Sequence, residues 1–330
     1  MALLVAIVAL ALVFDYTNGF HDTANAIATS VSTRALSPRV AVLMAAGLNL
    51  LGALVSTSVA KTVGEGIVNT DLVTLTVVMA ALVGAVVWNF VTWRFGIPSS
   101  SSHALFGGLI GAMIAKAGVD GVIWSGVVEK IILPMVFSPL FGFVGAWLLM
   151  TGLIWLVRKR QQGPVNKWFR RLQPISAGFM AFSHGANDAQ KTMGIIALAL
   201  FASGSIDAFY IPTWVKIVCA VAMALGTYSG GWRIIHTLGS KVIKLDPIHG
   251  FAAETTAASV IQVATHFGVP VSTTHTITAS IMGVGSTQRL SAVRWGVAGN
   301  IVTAWVLTLP AAGLVGAGVY LAGEALRALF

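Results

Sequence analysis

The stretch GFHDTANA, Gly19 to Ala26, follows an apolar run from Leu3 to Phe14 and sets a histidine, an aspartate and an asparagine in otherwise membrane-like sequence. A charged aspartate at the centre of a bilayer costs at least about 2.5–3.5 kcal/mol on insertion scales, and intramembrane acids are functional by default. The stretch has an echo, GANDAQKT, at Gly185 to Thr192. A second pair follows in the same order, GIPSSSSH at Gly96 to His103 and GVPVSTTH at Gly268 to His275. The first pair is offset by 166 positions and the second by 172. Two different motifs repeating in order at nearly one offset mark an internal duplication.

The surroundings of these motifs set the class. Of 330 residues, 56% are hydrophobic and 9% charged, against about 25% charged in soluble domains. Apolar runs recur at Val40–Ala60, Leu72–Val91, Pro134–Val157, Thr213–Gly230 and Val297–Leu321, near the roughly 20 residues that a membrane helix needs. Continuous runs, rather than short alternating segments, exclude a barrel of transmembrane strands. The sequence therefore predicts an all-α polytopic membrane protein embedded in the lipid bilayer. Its net charge of +9 is no nucleic-acid signal. Six of the 20 basic residues, Arg158, Lys159, Arg160, Lys167, Arg170 and Arg171, cluster in a segment without acids. Basic segments beside spans mark the cytoplasmic face. The lone Cys219 permits no internal disulfide.

Residues 158–173 divide the chain into a first repeat, 1–157, and a second, 174–330, joined by this cytoplasmic basic linker. Each repeat is expected to cross the membrane about five times, an odd number, which inserts the second copy upside down. The loops carry that alternation. Arg34 and Arg39 flank the first connection of the first half, whereas Ala202–Ile211 has no Lys or Arg. Lys61–Asp71 has one base and two acids, whereas Gly231–Asp246 has Arg233, Lys241 and Lys244. After the second motif the first half is near neutral, while the second has Arg289 and Arg294. Both termini come out on the outer face of the cytoplasmic membrane. The expected fold is an inverted-topology repeat with broken helices and re-entrant half-helices, about ten to twelve helical segments in all, with the site at the midplane between repeats.

Within GFHDTANA, Asn18 and Gly19 read as helix looseners, so a broken span with free backbone groups beside Asp22 is expected. Unwound backbone plus a carboxylate holds coupling ions in transporters. Pro98 and Pro270 suit the first turn of a helix, and the hydroxyls after them cap a helix start. Each half thereby offers a half-helix N-terminus with N–H and hydroxyl donors, an anion site: Ser100, Ser101 and Ser102 from the first, Ser272, Thr273 and Thr274 from the second. By the inverted symmetry these face each other. His103 and His275 close both motifs, in a structural or a functional role. Glu254 is a further acid in an apolar stretch, either in a cation or proton path or paired with a neighbour. No nucleotide-binding loop, metalloenzyme spacing or nucleophile–base arrangement is present, so the chain reads as no enzyme, with no cofactor beyond a coupling ion.

GFHDTANAIATSVSTRAL and FSHGANDAQKTMG resemble the signature segments of the inorganic phosphate transporter (Pit) family, and GIPSSSSH and GVPVSTTH its paired serine/threonine motifs. The resemblance spans both halves. It implies a secondary transporter that imports inorganic phosphate with a coupling cation, built as an inverted repeat and assembled as a homodimer. It places Asp22, Asn25, Asn187 and Asp188 in the cation-associated segments, as a possible sodium site, and Ser100–Ser102 and Ser272–Thr274 in the phosphate-associated ones. The chain departs from the family pattern G-A-N-D-x-A-N-A: His21 stands in place of Asn, and Gln190 and Lys191 in place of Ala and Asn. A lysine ammonium can fill the place of sodium and a histidine can carry a proton, so proton coupling through Asp22, Asp188, His21, Lys191 and Glu254 is expected, with sodium as the alternative. Phosphate keeps a proton to share with a carboxylate at neutral pH, whereas sulfate leaves an unpaired acceptor facing it. Sulfate permeation within the same superfamily, a divalent metal–phosphate cargo and an anion channel stay open as alternatives.

Overall fold

The computed structural model describes residues 1–329; Phe330, the end of the expected second repeat, lies outside them. Among the described residues the chain forms twelve helices: α1 (Ala2–Ser32), α2 (Pro38–Ala53), α3 (Ser58–Glu65), α4 (Leu75–Phe95), α5 (Ser101–Ala117), α6 (Trp124–Val157), α7 (Gln162–Ala202), α8 (Thr213–Ser229), α9 (Trp232–Lys241), α10 (Pro247–His266), α11 (Thr273–Ser286) and α12 (Trp295–Leu329). Their order repeats after six. Of the basic linker, residues 162–173 are the first turns of α7, so only a short turn separates the halves.

Helices α1, α4, α6 and α12 are long and apolar enough to cross a membrane, and the bent pairs α2–α3 and α8–α9 bring the number to six. The pairs kink by 70° and 60°. Val40–Ala60 is therefore not one straight span, because the chain leaves the helix after Ala53. Helices α7 and α10 are less apolar, yet every side chain from Ser183 to Leu200 is buried. Polar residues are tolerated at such depth when protein rather than lipid surrounds them. The short α5 and α11, 17 and 14 residues, are the half-helices.

The halves interlock by exchange: α1 packs on α8 and α2 on α7, while α5 packs on α12 and α11 on α6. Two apolar cores result. Helix α1 contributes Leu4 to Phe14 to the first core and Ala24 to Ala28 to the second; α7 passes the same cores in the opposite order, with Met180 and Ala181 in the second and Ala189 to Leu200 in the first. The repeats thus run in opposite senses, and the polar motifs lie between the cores.

The motif segments of α1 and α7 are not broken. Both helices run through them, a correction to the expected unwinding, and the glycines serve another purpose. A Cβ on Gly19 would lie 2.4 Å from the carbonyl oxygen of Met223, and one on Gly185 would lie 2.2 Å from that of Asn49. They are where α8 and α2 touch the motif helices backbone to backbone. The breaks come later, at Gly96 and Gly268. Both adopt the left-handed conformation (φ +65° and +68°), which closes α4 and α10. Pro98 and Pro270 do not sit in the next helix's first turn, as expected, but two residues before its cap. There they hold the chain extended and stop the preceding helix from continuing.

Candidate anion and cation site

Ser100 and Ser272 are the N-caps of α5 and α11, each hydroxyl accepting the N–H of the histidine three residues on at 3.2 Å. The first serine of each triplet therefore orients its own helix start. Ser101 and Ser102, and Thr273 and Thr274, form the first turns. These starts face each other: His103 and His275 meet edge to face with ring centroids 4.7 Å apart. His275 also stacks on Trp305, whose indole N–H donates to the carbonyl of Pro98 at 3.1 Å. That contact ties α12 to the loop before α5. The Ser101 hydroxyl and Nδ1 of His103 are buried without a hydrogen-bond partner among the described residues. Two opposed helix N-termini, with the Ser101 hydroxyl left free, are an arrangement that can hold a compact oxyanion. Ser272→Ala and Ser100→Ala each remove a cap worth about 1 kcal/mol. Each variant is expected to fold, melt slightly lower in detergent and bind phosphate more weakly, as labelled-phosphate binding checks.

The carboxylates approach from the side. Thr273 donates its hydroxyl to Oδ2 of Asp188 at 2.9 Å, and Thr274 faces Oδ1 of Asp22 at 3.4 Å. Asn25 donates to both threonine hydroxyls, at 3.2 and 2.9 Å. Asp22, Asp188 and His184 bring one ligand atom each within 4.8 Å of one another. His184 also holds Asn49 through Nδ1 at 2.9 Å. On the other flank, His21 bridges Oδ1 of Asp22 at 2.7 Å and the hydroxyl of Thr92 at 3.1 Å, and Thr92 in turn accepts from Ser99. Asp22 is thereby linked to α4 and to the loop that enters α5.

Lys191 stands at the centre. Its side chain is buried, 1% exposed, and its ammonium contacts the carboxylate of Asp188, the hydroxyl of Ser102 and the carbonyl of Val271. A carboxylate, a hydroxyl and a carbonyl oxygen are the ligand types that a hard cation takes. The ammonium also joins the first turn of α5 and the loop before α11 to α7.

The other expected residues divide. Asn187 turns away from Asp22, donating to Thr265 at 2.8 Å and the carbonyl of Val269 at 3.3 Å and accepting from the N–H of Val271; it fastens the loop before α11. Gln190 accepts from the N–H groups of Val59 and Ala60, so it caps the start of α3 across the kink. Glu254 lies apart from Asp22. Its carboxylate is held by Thr29 and Ser176, and by Gln173 at 3.2 Å. Thr29 is about 10 Å, two helical turns, along α1 from Asp22. Sequence reasoning missed His184, Asn49 and Thr92, whose signal was a polar residue inside an apolar helix. It missed Asp15 as well, 0% exposed in α1.

A polytopic helical fold with opposed half-helices and buried acids between two inverted halves defines a membrane transporter. The Phosphate transporter family model matches residues 18–166 and 157–316. The chain is 54% identical to a probable low-affinity inorganic phosphate transporter of Rhizobium meliloti (strain 1021), covering 98% of this chain and 97% of that protein. It is 47% identical to one of Bacillus subtilis (strain 168), covering 97% of each. A solved structure described as the sodium-dependent phosphate transporter superposes with a TM-score of 0.90 at 25% identity, covering 98% of this chain and 100% of that one. The chain belongs to the phosphate transporter family, and it is a transporter of phosphate, not an enzyme.

Proposed function

We propose that the protein imports inorganic phosphate together with a proton. The two repeats alternate access to phosphate held between the N-termini of α5 and α11, with Ser101, Ser102, Thr273 and Thr274 around it. Asp22 and Asp188 accept the coupling proton beside it, His21 and Lys191 set their charge, and Glu254 receives the proton on the far side. The single observation that carries this reading is Lys191: its ammonium supplies a positive charge among Asp188, Ser102 and Val271, where a sodium-coupled site needs an ion. In this reading the basic segment before α7 is cytoplasmic, both termini are outside, and two copies pair in the bilayer.

Sodium coupling is the rival, since the similar solved transporter is called sodium-dependent and Asp22, Asn25 and Asp188 lie close together. Reconstituted protein separates the two. An inward proton gradient in sodium-free buffer is expected to drive labelled phosphate to accumulation, and a sodium gradient at equal pH is not. Accumulation driven by sodium and surviving a protonophore overturns proton coupling. Sulfate in tenfold excess is expected to leave uptake nearly unchanged. A second cargo reading rests on the Asp22–His184–Asp188 group, which suits a divalent cation entering with phosphate. If that reading holds, chelation of divalent ions stops uptake.

A further inference from the structure

Proton import as read above uses the acids around Asp22 and leaves one buried acid without a task. Asp15 lies on α1 in the first apolar core. Its Oδ1 accepts the hydroxyl of Thr192 at 2.8 Å, and its Oδ2 is buried without a hydrogen-bond partner among the described residues. The titratable side chains facing it are Asp188 from α7 and Cys219 from α8. Lys191, next to Thr192, is turned to Asp188. The charged residues of α2 and α4, Arg39 and Arg94, are exposed at the helix ends. A single hydroxyl donor compensates an isolated carboxylate poorly in apolar surroundings, whereas a carboxylic acid is far cheaper to bury there.

The position is equally telling. Asp15, Asp22 and Thr29 follow at seven-residue spacing, close to two helical turns, so they share one stripe of α1 with steps of about 10 Å. Thr29 carries Glu254. Three buried acids thus follow α1 from the first core, through the central site, to the second core. Glu254 has three side-chain donors around it; Asp15 has one.

We propose that Asp15 is the proton-loading carboxyl on the N-terminal side of the phosphate site. This rests on the proton-symport reading. When that side opens to water, a hydronium ion gives its proton to Asp15 Oδ2 and an O–H bond forms. The bond then breaks as the proton moves on to the Asp188–Asp22 pair through the water that entered with it, and Asp15 is left as a carboxylate to be reloaded. The proton leaves with phosphate on the far side.

The test uses the full-length protein in proteoliposomes with a trapped pH dye and labelled phosphate. Asp15→Asn keeps the shape and the acceptor for Thr192 but cannot take up the proton. It is expected to lose net proton-driven uptake and phosphate-linked internal acidification by about 100-fold, the range of a lost proton-transfer group. Phosphate–phosphate exchange at equal pH, which needs no proton to be loaded or discharged, stays near wild type. Asp15→Glu restores net uptake. Normal net uptake in Asp15→Asn overturns the proposal, as does an equal loss of net uptake and exchange, the mark of a structural role. If Asp15→Asn does not accumulate, Asp15→Ala serves: lost net uptake with intact exchange supports the loading role, and normal net uptake overturns it. Absence of proton-driven uptake in the wild type defeats the symport reading itself, a result distinct from failure at Asp15 alone.

Discussion

Lys191→Met is expected to abolish phosphate uptake and to destabilise the protein. The ammonium and the Asp188 carboxylate are both buried, and removing one partner leaves the other charge uncompensated, at a cost of about 3–5 kcal/mol. The neighbours add to the loss, since Ser102 and the Val271 carbonyl also turn to that ammonium. Thermal unfolding in detergent is expected to shift well down. Combining Lys191→Met with Asp188→Asn removes both charges while keeping similar volumes. The double variant is expected to recover most of the lost stability, because a neutral pair is cheap to bury. It is not expected to recover transport, because the proposed role of the pair lies in its charge and not merely in its packing. Stability and uptake together separate the roles. If the single variant transports within about twofold of wild type, equivalent to about 0.4 kcal/mol, Lys191 does not stand in for a coupling cation.

Much of this site was legible because it breaks rules that the rest of the chain obeys. Asp22 and Asp188 are acids where lipid-facing sequence forbids them, and the repetition of both motifs gave the duplication and the pairing of the half-helices. The positive-inside pattern and the passage of α1 and α7 through the two cores in opposite order agree on inversion. What the sequence could not supply is which long-range contacts the folded chain makes. Lys191 is 89 positions from Ser102 and 80 from Val271, and no local pattern links them. Gly19 and Asn18 look like helix breakers in a propensity scale, yet Gly19 stays helical because tertiary contact with α8 requires the missing side chain. Asn187 and Gln190 carry site-like residue types but spend their hydrogen bonds on backbone at the loop and kink nearby. Asp15 escaped notice at the edge of an apolar run, although the cost of a carboxylate there is the same argument that picked out Asp22.

A comparison on one turn of α1 separates the chemistry of the motif from its architecture. Asp22→Asn is expected to insert and fold normally, because the amide has the carboxylate's shape and its oxygen still accepts from His21 and Thr274. It is expected to lose net uptake by about 100-fold, since a group that carries a proton contributes on that order. Gly19→Leu is expected to fail differently. Its Cβ alone meets the Met223 carbonyl oxygen at 2.4 Å and the Thr227 nitrogen at 2.9 Å, both backbone atoms that cannot rotate aside. Overpacking of flexible cores costs about 1–3 kcal/mol, and here α1 and α8 must separate, carrying Thr23 away from Thr227 and Asp22 away from its threonine. The variant is expected to be nearly absent from the membrane, by immunoblot, whereas Asp22→Asn accumulates. If Asp22→Asn keeps net uptake while Gly19→Leu is lost, the conclusion is that the α1 motif is there for packing alone, and the coupling carboxylate must be sought at Asp188.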